Sequence, residues 1–288
     1  MLELLEQNPV LFAFAVLVLG LLVGSFLNVV IVRLPKTMHH GWRNQCRELL
    51  ELNAETDPEP PGLITPRSHC PSCGHTVTAL ENIPILSYLM LRGKCSACGI
   101  RISPRYPAVE ALTGVCSLLI AVHFGVSFAA LAALVLTWGL IALSFIDIDH
   151  QILPDNITLP GIWLGLFLNL FGVFTDLESA VIGTLAGYLS LWVVFQLFKL
   201  LTGKEGMGFG DFKLFALFGA WLGWQLLPLI ILMSALAGAL IGGTAVVIRG
   251  RDRHIPIPFG PYLAIAGWIA MLWGHDLTQA YLRYTGLA

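Results

Sequence analysis

Apolar residues run along this chain in long, nearly uncharged blocks separated by short polar connections. Within the blocks apolar and polar residues do not alternate. Such runs predict membrane helices, which need about 20 mainly apolar residues to cross roughly 30 Å of hydrocarbon. The first expected span covers Leu11–Val32. Others follow at Ala108–Phe124, Phe128–Ile146, Ile157–Phe174 and Ala180–Phe198. The apolar stretch Phe212–Ile248 has basic residues at both ends, so an even number of crossings lies within it. Two short helices with a turn near Trp224, Gln225 and Pro228 satisfy that condition. A last span covers Pro261–Trp273. The expectation is an all-α polytopic membrane protein with about eight transmembrane helices. A transmembrane barrel would show short alternating segments instead, and lipid leaves helices as the only other way to satisfy the backbone.

Composition narrows the class further. Of 288 residues, 56% are hydrophobic and 12% charged, against about 25% charged in soluble domains. A soluble enzyme is excluded by lack of polar surface, and disorder by excess of apolar residues. Net charge is −2, so no overall field points to nucleic acid.

The placement of charge orients the chain. Fifteen of the 16 Lys and Arg residues fall in the segments 33–105, 199–213 and 249–253. The connections near Gly125 and Asp176 carry none. By the positive-inside rule those three segments face the cytoplasm and both termini lie outside. Three regions are expected: a first transmembrane helix over residues 1–33, a cytoplasmic insert over 34–106, and a seven-helix membrane domain over 107–288. Within the insert, Thr37–Pro66 contains the acidic, proline-containing run Glu55–Pro61 and is expected to be a mobile connection.

Ser68–Gly99 has a different character. It holds Cys70-Pro-Ser-Cys73-Gly and Cys95-Ser-Ala-Cys98-Gly, with 21 residues between the pairs. Two such pairs close a tetrahedral thiolate site, and glycine after the second cysteine permits a tight turn. A reducing cytoplasmic setting argues against disulfides. The expectation is a zinc-ribbon-like insert with Cys70, Cys73, Cys95 and Cys98 as metal ligands; redox thiols are the alternative. Few aromatic residues interleave with basic ones, which speaks against nucleic-acid binding. Cys46 and Cys116 are read as structural or incidental.

Carboxylates at the membrane edge are costly to maintain and mark candidate sites. Two places stand out: Asp147-Ile-Asp149-His150 through Pro154-Asp155, and Gly208-Phe-Gly210-Asp211-Phe-Lys213. If Asp147 and Asp211 meet across the bundle, one would hold a proton while the other accepts one from water. Residues two apart on a helix point to nearly opposite faces, so Asp147 and Asp149 cannot both aim at Asp211. Gly208 and Gly210 would let a substrate backbone approach. Other readings stay open on chemistry alone. Asp211 or Asp155 could cap a helix, or the acidic residues could line the path of an ion-coupled transporter.

Taken in order, these residues resemble the prepilin peptidase family, the leader peptidases and N-methyltransferases of type IV pili and type II secretion. The resemblance spans almost the whole chain. It includes Gly24-Ser25-Phe26-Leu27-Asn28 through Arg33-Leu34-Pro35, both cysteine pairs, Glu81-Asn-Ile-Pro84-Ile-Leu-Ser87-Tyr88 and Arg105-Tyr-Pro107-Ala-Val-Glu110. It continues through the two aspartate motifs to Pro258-Phe-Gly260-Pro261-Tyr262. The resemblance implies a GxGD aspartic protease with Asp147 and Asp211 as the catalytic pair. It implies cleavage of prepilin and pseudopilin leaders after a glycine, on the cytoplasmic side of the bacterial inner membrane. It also implies methylation of the new N-terminal residue with S-adenosylmethionine. Gly93 and Lys94 match the family's segment before the second cysteine pair and become cofactor candidates. Glu81 joins them as a carboxylate able to hold a ribose or an amine. A plain ribbon turn is the alternative reading of Gly93 and Lys94.

Overall fold

The computed structural model describes residues 2–52, 59–204, 206–249 and 258–286. Its helices are α1 (Leu2–Gln7), α2 (Pro9–Leu49), α3 (Leu86–Met90), α4 (Arg105–Phe124), α5 (Phe128–His150), α6 (Asp155–Asn169), α7 (Leu177–Thr202), α8 (Phe209–Leu222), α9 (Leu227–Arg249) and α10 (Gly260–Thr285). A 3-10 turn, Trp224–Leu226, joins α8 to α9. No strand occurs among the described residues beyond isolated bridges. The fold is helical, as the apolar blocks predict. On length and composition, α2, α4, α5, α7 and the stretch Trp224–Ile241 can each cross a membrane. The turn expected near Trp224 is present, opened by Gly223 at φ +79°.

The chain forms two compact units, Met1–Ala130 and Leu131–Ala288. In the first, α2 and α4 pack closely. Side chains are small where the backbones approach. A Cβ on Gly24 would lie 2.7 Å from the Glu110 Cα, and one on Gly20 would meet Ser117 at 2.6 Å. Further along, the Asn28 side-chain amide donates to the Tyr106 carbonyl at 3.1 Å. As positions rise on α2 their partners fall on α4, so the two helices are antiparallel. Small residues at a helix pair allow this approach where lipid offers no hydrophobic drive.

The structure departs from the expected connection after the first span. Residues from Thr37 do not begin a mobile segment; α2 continues unbroken to Leu49 over 41 residues. That is about 60 Å of helix, twice the hydrocarbon thickness. Pro35 lies inside it, where it removes one N–H and crowds the preceding turn, while the following Arg, Gln, Glu and Leu residues favour helix. Arg33 is buried and donates to the carbonyls of Gly62 and Pro66 at 2.7 and 2.8 Å. The chain leaving the helix is thereby tied back to it. Of the run Glu55–Pro61, residues 55–58 lie outside the described residues.

In the second unit α8 is the axis. From Asp211 to Leu222 every side chain except Lys213 is buried. Glycines on its neighbours face it. The α7 and α8 backbones touch at Gly183 and Gly219, Gly165 of α6 lies against the Trp221 ring, and Gly267 of α10 lies against Phe218. The expected span to Phe174 ends earlier, at Asn169. That side chain donates to the carbonyls of Ala220 and Trp221 at the end of α8 and accepts from the amides of Phe174 and Thr175. One buried amide therefore turns the chain and closes the α8 C-terminus. The last helix runs beyond the expected Trp273 to Thr285.

Candidate active site and metal centre

Asp147 lies near the C-terminal end of α5 and Asp211 in the first turn of α8. Both are buried, at 6% and 8% exposure. Asp149 is exposed. The helix thus turns one of the two α5 carboxylates inward, and the inward one is Asp147. Asp211 is within Coulombic reach of Asp147. The structure therefore brings the two sequence-selected aspartates together.

Three contacts frame the pair. The Gly260 N–H, at the N-terminus of α10, donates to Asp147 Oδ2 at 3.1 Å. This places a carboxylate against an otherwise orphaned helix donor, where the helix dipole also favours negative charge. A Cβ on Gly260 would lie 2.6 Å from the same oxygen. Buried Leu153, in the turn after α5, wedges between the two helix starts. A Cβ on Gly210 would lie 2.8 Å from the Leu153 Cβ, and one on Gly260 would lie 3.1 Å from its Cδ2. At the rim, Lys213 pairs with both oxygens of Asp155 at 2.7 and 2.8 Å, joining α8 to the start of α6. Asp155 is half exposed and bound to lysine, so it stands apart from the buried pair. The sequence carried Gly260 in a motif without assigning it a task. Its task is to hold one carboxylate, and only the fold joins positions 113 residues apart.

The cysteine-rich segment forms two matching turns. Cys70 N–H donates to the His75 carbonyl and Gly74 N–H to the Cys70 carbonyl, with a bridge between His69 and Thr76. Each contact repeats 25 positions later, at Cys95 with Ile100, Gly99 with Cys95, and Lys94 with Arg101. Gly74 and Gly99 adopt φ of +71° and +73°, a backbone that disfavours side chains. The four sulfur atoms lie within 4.8 Å of one another, and the Sγ atoms of Cys70 and Cys98 are 3.8 Å apart. A tetrahedron with about 2.3 Å metal–sulfur bonds has edges of about 3.8 Å. The donor set fits zinc and leaves no open coordination position.

Electrostatics agree with thiolate binding. Backbone amides of Cys73 and Ser72 pull the Cys70 thiol down to about 7. Those of Cys98 and Ala97 lower Cys95. At Cys73 the His75 amide acts in the same sense. Desolvation and the thiols of Cys98, Cys70 and Cys95 outweigh it and push Cys73 up to about 11. Four crowded sulfurs resist losing all their protons until a cation joins them.

Glu81 braces the two turns. It accepts from Ser96, between the second pair of cysteines, and from the Thr78 N–H at 2.8 Å, and it pairs with His75 Nε2 at 3.2 Å. Led by Ser96, these partners hold its carboxyl down to about 2. The stabilisation it gives is therefore fully present above the ordinary glutamate value of 4.5 and is lost progressively as pH falls toward 2. Gly93 and Lys94 lie on a neighbouring cavity of about 570 Å³, with Tyr88, Arg92, Arg101 and Ser103 also on its wall. That volume falls in the range of small-molecule sites, about 300–1,000 Å³.

Residues 18–124 match the bacterial peptidase A24 N-terminal domain, and residues 134–243 match the type IV leader peptidase family. A prepilin leader peptidase/N-methyltransferase of Stutzerimonas stutzeri is 56% identical over 285 residues, covering 99% of both chains. Proteins of the same name from Pseudomonas aeruginosa and Aeromonas hydrophila are 54% and 53% identical, covering 99% and 98% of each chain. No solved structure matches. The ion-coupled transporter considered from sequence finds no support among these relatives. The chain belongs to the type IV leader peptidase family.

Proposed function

We propose that Asp147 and Asp211 are the catalytic pair of a membrane-embedded aspartic endopeptidase, and that the four-cysteine insert serves N-methylation of the product. The enzyme removes prepilin leaders and methylates the new N-terminus, the two activities that its relatives' names carry. The observation that carries the peptidase reading is the approach of two buried carboxylates from separate helix ends. One carboxylate takes a proton from the attacking water while the other donates one to the scissile carbonyl oxygen. The Gly260 N–H fixes Asp147 for that exchange. Gly208 leaves room beside Asp211 for the extended backbone of a substrate, whereas the open side of Gly210 is taken by Leu153.

The charge pattern supports a cytoplasmic site in the bacterial inner membrane. A pilin or pseudopilin precursor would then keep its apolar helix in the bilayer and its basic leader outside it, with the scissile bond at the interface. In the insert, Cys70, Cys73, Cys95 and Cys98 would hold zinc as a folding element, since a closed thiolate set leaves no position for substrate. S-adenosylmethionine supplies an electrophilic methyl group when bound. Gly93 and Lys94 would line its site, with the Lys94 ammonium available to a carboxylate. The oxygens of Glu81 are engaged within the ribbon, which favours a bracing role there over direct contact with the cofactor.

The test is intact mass of a prepilin substrate after incubation with the purified protein and S-adenosylmethionine. Loss of the leader together with a gain of one methyl group is expected. An uncut native substrate would overturn the peptidase reading. A cut but unmethylated product would confine the insert to a structural role.

The Gly260 contact adds a narrower expectation. Alanine at position 260 would push its Cβ into the Asp147 carboxylate. Initial rates of leader removal should fall about 10- to 100-fold, with methylation of a precleaved peptide unchanged. Parental cleavage by Gly260→Ala would show that Asp147 does not need its present position.

A further inference from the structure

The first unit contains a buried carboxylate that the proposed chemistry does not use. Glu110 lies in the second turn of α4 at 9% exposure, with the α2 backbone passing over it at Gly24. Its Oε2 accepts the Ile85 N–H at 2.8 Å. A glutamate in this setting is costly unless its acceptor capacity is used.

What it holds is unusual backbone. Ile85 has φ +61° and ψ −49°, and the Leu86 N–H closes back on the Pro84 carbonyl at 2.6 Å. This is a γ-turn with its central residue at positive φ, a rare and strained form, occupied by a β-branched side chain that disfavours it. Such a conformation persists only where its surroundings fix it. The bond to Glu110 is one such restraint.

The turn sets the direction of α3, and α3 carries Tyr88. Tyr88 is joined to Gly93 by several contacts. The Gly93 N–H donates to the Tyr88 carbonyl at 2.9 Å. The phenol ring lies where a Gly93 Cβ would be, 2.8 Å from the hydroxyl oxygen. That hydroxyl donates to the Ile102 carbonyl at 3.3 Å, and the Ile102 N–H donates to the Gly93 carbonyl at 2.8 Å. A short chain of contacts therefore runs from Glu110 through Ile85 and Tyr88 to the Gly93–Lys94 edge of the cavity.

We propose that Glu110 is a positioning residue for N-methylation, holding the Ile85 turn and through it the Gly93–Lys94 edge. Its catalytic consequence rests on the reading of Gly93 and Lys94 as the cofactor edge. The contact needs an acceptor oxygen rather than a charge, so Glu110→Gln should behave as the parent. Glu110→Ala removes the acceptor. Glycine tolerates positive φ without steric cost, so adding Ile85→Gly should restore the turn in the absence of Glu110.

The experiment uses the full-length, zinc-loaded protein in nanodiscs. Amide hydrogen exchange across residues 86–94 is measured beside the KM for S-adenosylmethionine and the rate of leader removal. Glu110→Ala should speed exchange there and raise KM about tenfold or more, with leader removal and zinc content unchanged. Ile85→Gly in that background should reverse both effects, and if Glu110→Ala alone fails to accumulate, the double variant should accumulate. Unchanged exchange in Glu110→Ala, no rescue by Ile85→Gly, or damage by Glu110→Gln equal to that by Glu110→Ala would each overturn the proposal. If exchange responds and is rescued while KM stays flat in Glu110→Ala and in Lys94→Met, the hold on the turn stands and the cofactor reading of Gly93 and Lys94 falls.

Discussion

Asparagine at either Asp147 or Asp211 should slow leader removal by at least about 10³-fold, the scale of a lost acid–base group. Asparagine matches aspartate in size and keeps a carbonyl oxygen for the Gly260 N–H. The buried surroundings of α5 and α8 should therefore tolerate it, and a loss of rate reports chemistry rather than folding. Each carboxylate has its own proton to move, so either substitution alone should suffice, and the double variant should be little worse than the singles. Methylation of a peptide that already carries the mature N-terminus should continue in both. Asp149→Asn is the internal control, because Asp149 is exposed, two positions beyond Asp147 and off the inward face of α5. Initial rates on one prepilin decide the matter. More than about a tenth of parental activity in Asp147→Asn or Asp211→Asn is far above what loss of an essential acid–base group allows and would remove the pair from the mechanism.

Replacing Cys70 and Cys73 together by serine should abolish tight zinc binding and, with it, N-methylation. The two thiolates left, Cys95 and Cys98, cannot by themselves complete a tetrahedral site. The segment has little else to hold it. Its regular structure amounts to two isolated bridges and the five-residue α3, and Leu80, Leu86, Leu89 and Met90 are exposed rather than packed. Small units without an apolar core depend on metals or cross-links. Leader removal should survive within about threefold, below the roughly tenfold that marks a displaced catalytic group. The contacts found around Asp147 and Asp211 arise within Leu131–Ala288. Elemental analysis of the purified variant, run beside both activity assays, checks each part. Zinc retained at the parental level would mean that these sulfurs are not the ligands.

The positions of the helices were legible because membrane spans announce themselves as uninterrupted apolar blocks. Their ends were less legible, since ends depend on contacts far away in sequence. Asn169 stops α6 by bonding to residues at the end of α8, and no local pattern reveals that. The continuation of α2 was hidden by Pro35 and by a change from apolar to charged residues, which signals departure from lipid rather than departure from helix. At the site, helical geometry alone showed that Asp147 and Asp149 could not share a task, and the structure buries one and exposes the other. The cysteine turns were readable from spacing and from the glycine after each pair. The restraints on these features were not. Gly260 on Asp147, Glu81 across the two turns and Glu110 on Ile85 join positions with no shared periodicity.

The enclosure of α8 bears on how the site meets its solvent. Fourteen residues make a helix of about 21 Å, too short to span a bilayer while facing lipid. Helices that do face lipid adjust to membranes of different thickness by tilting or by deforming the bilayer. α8 is packed among protein along almost its whole length, so that adjustment falls on its neighbours. The carboxylate at its first turn is thereby insulated from the thickness of the membrane in which the enzyme works.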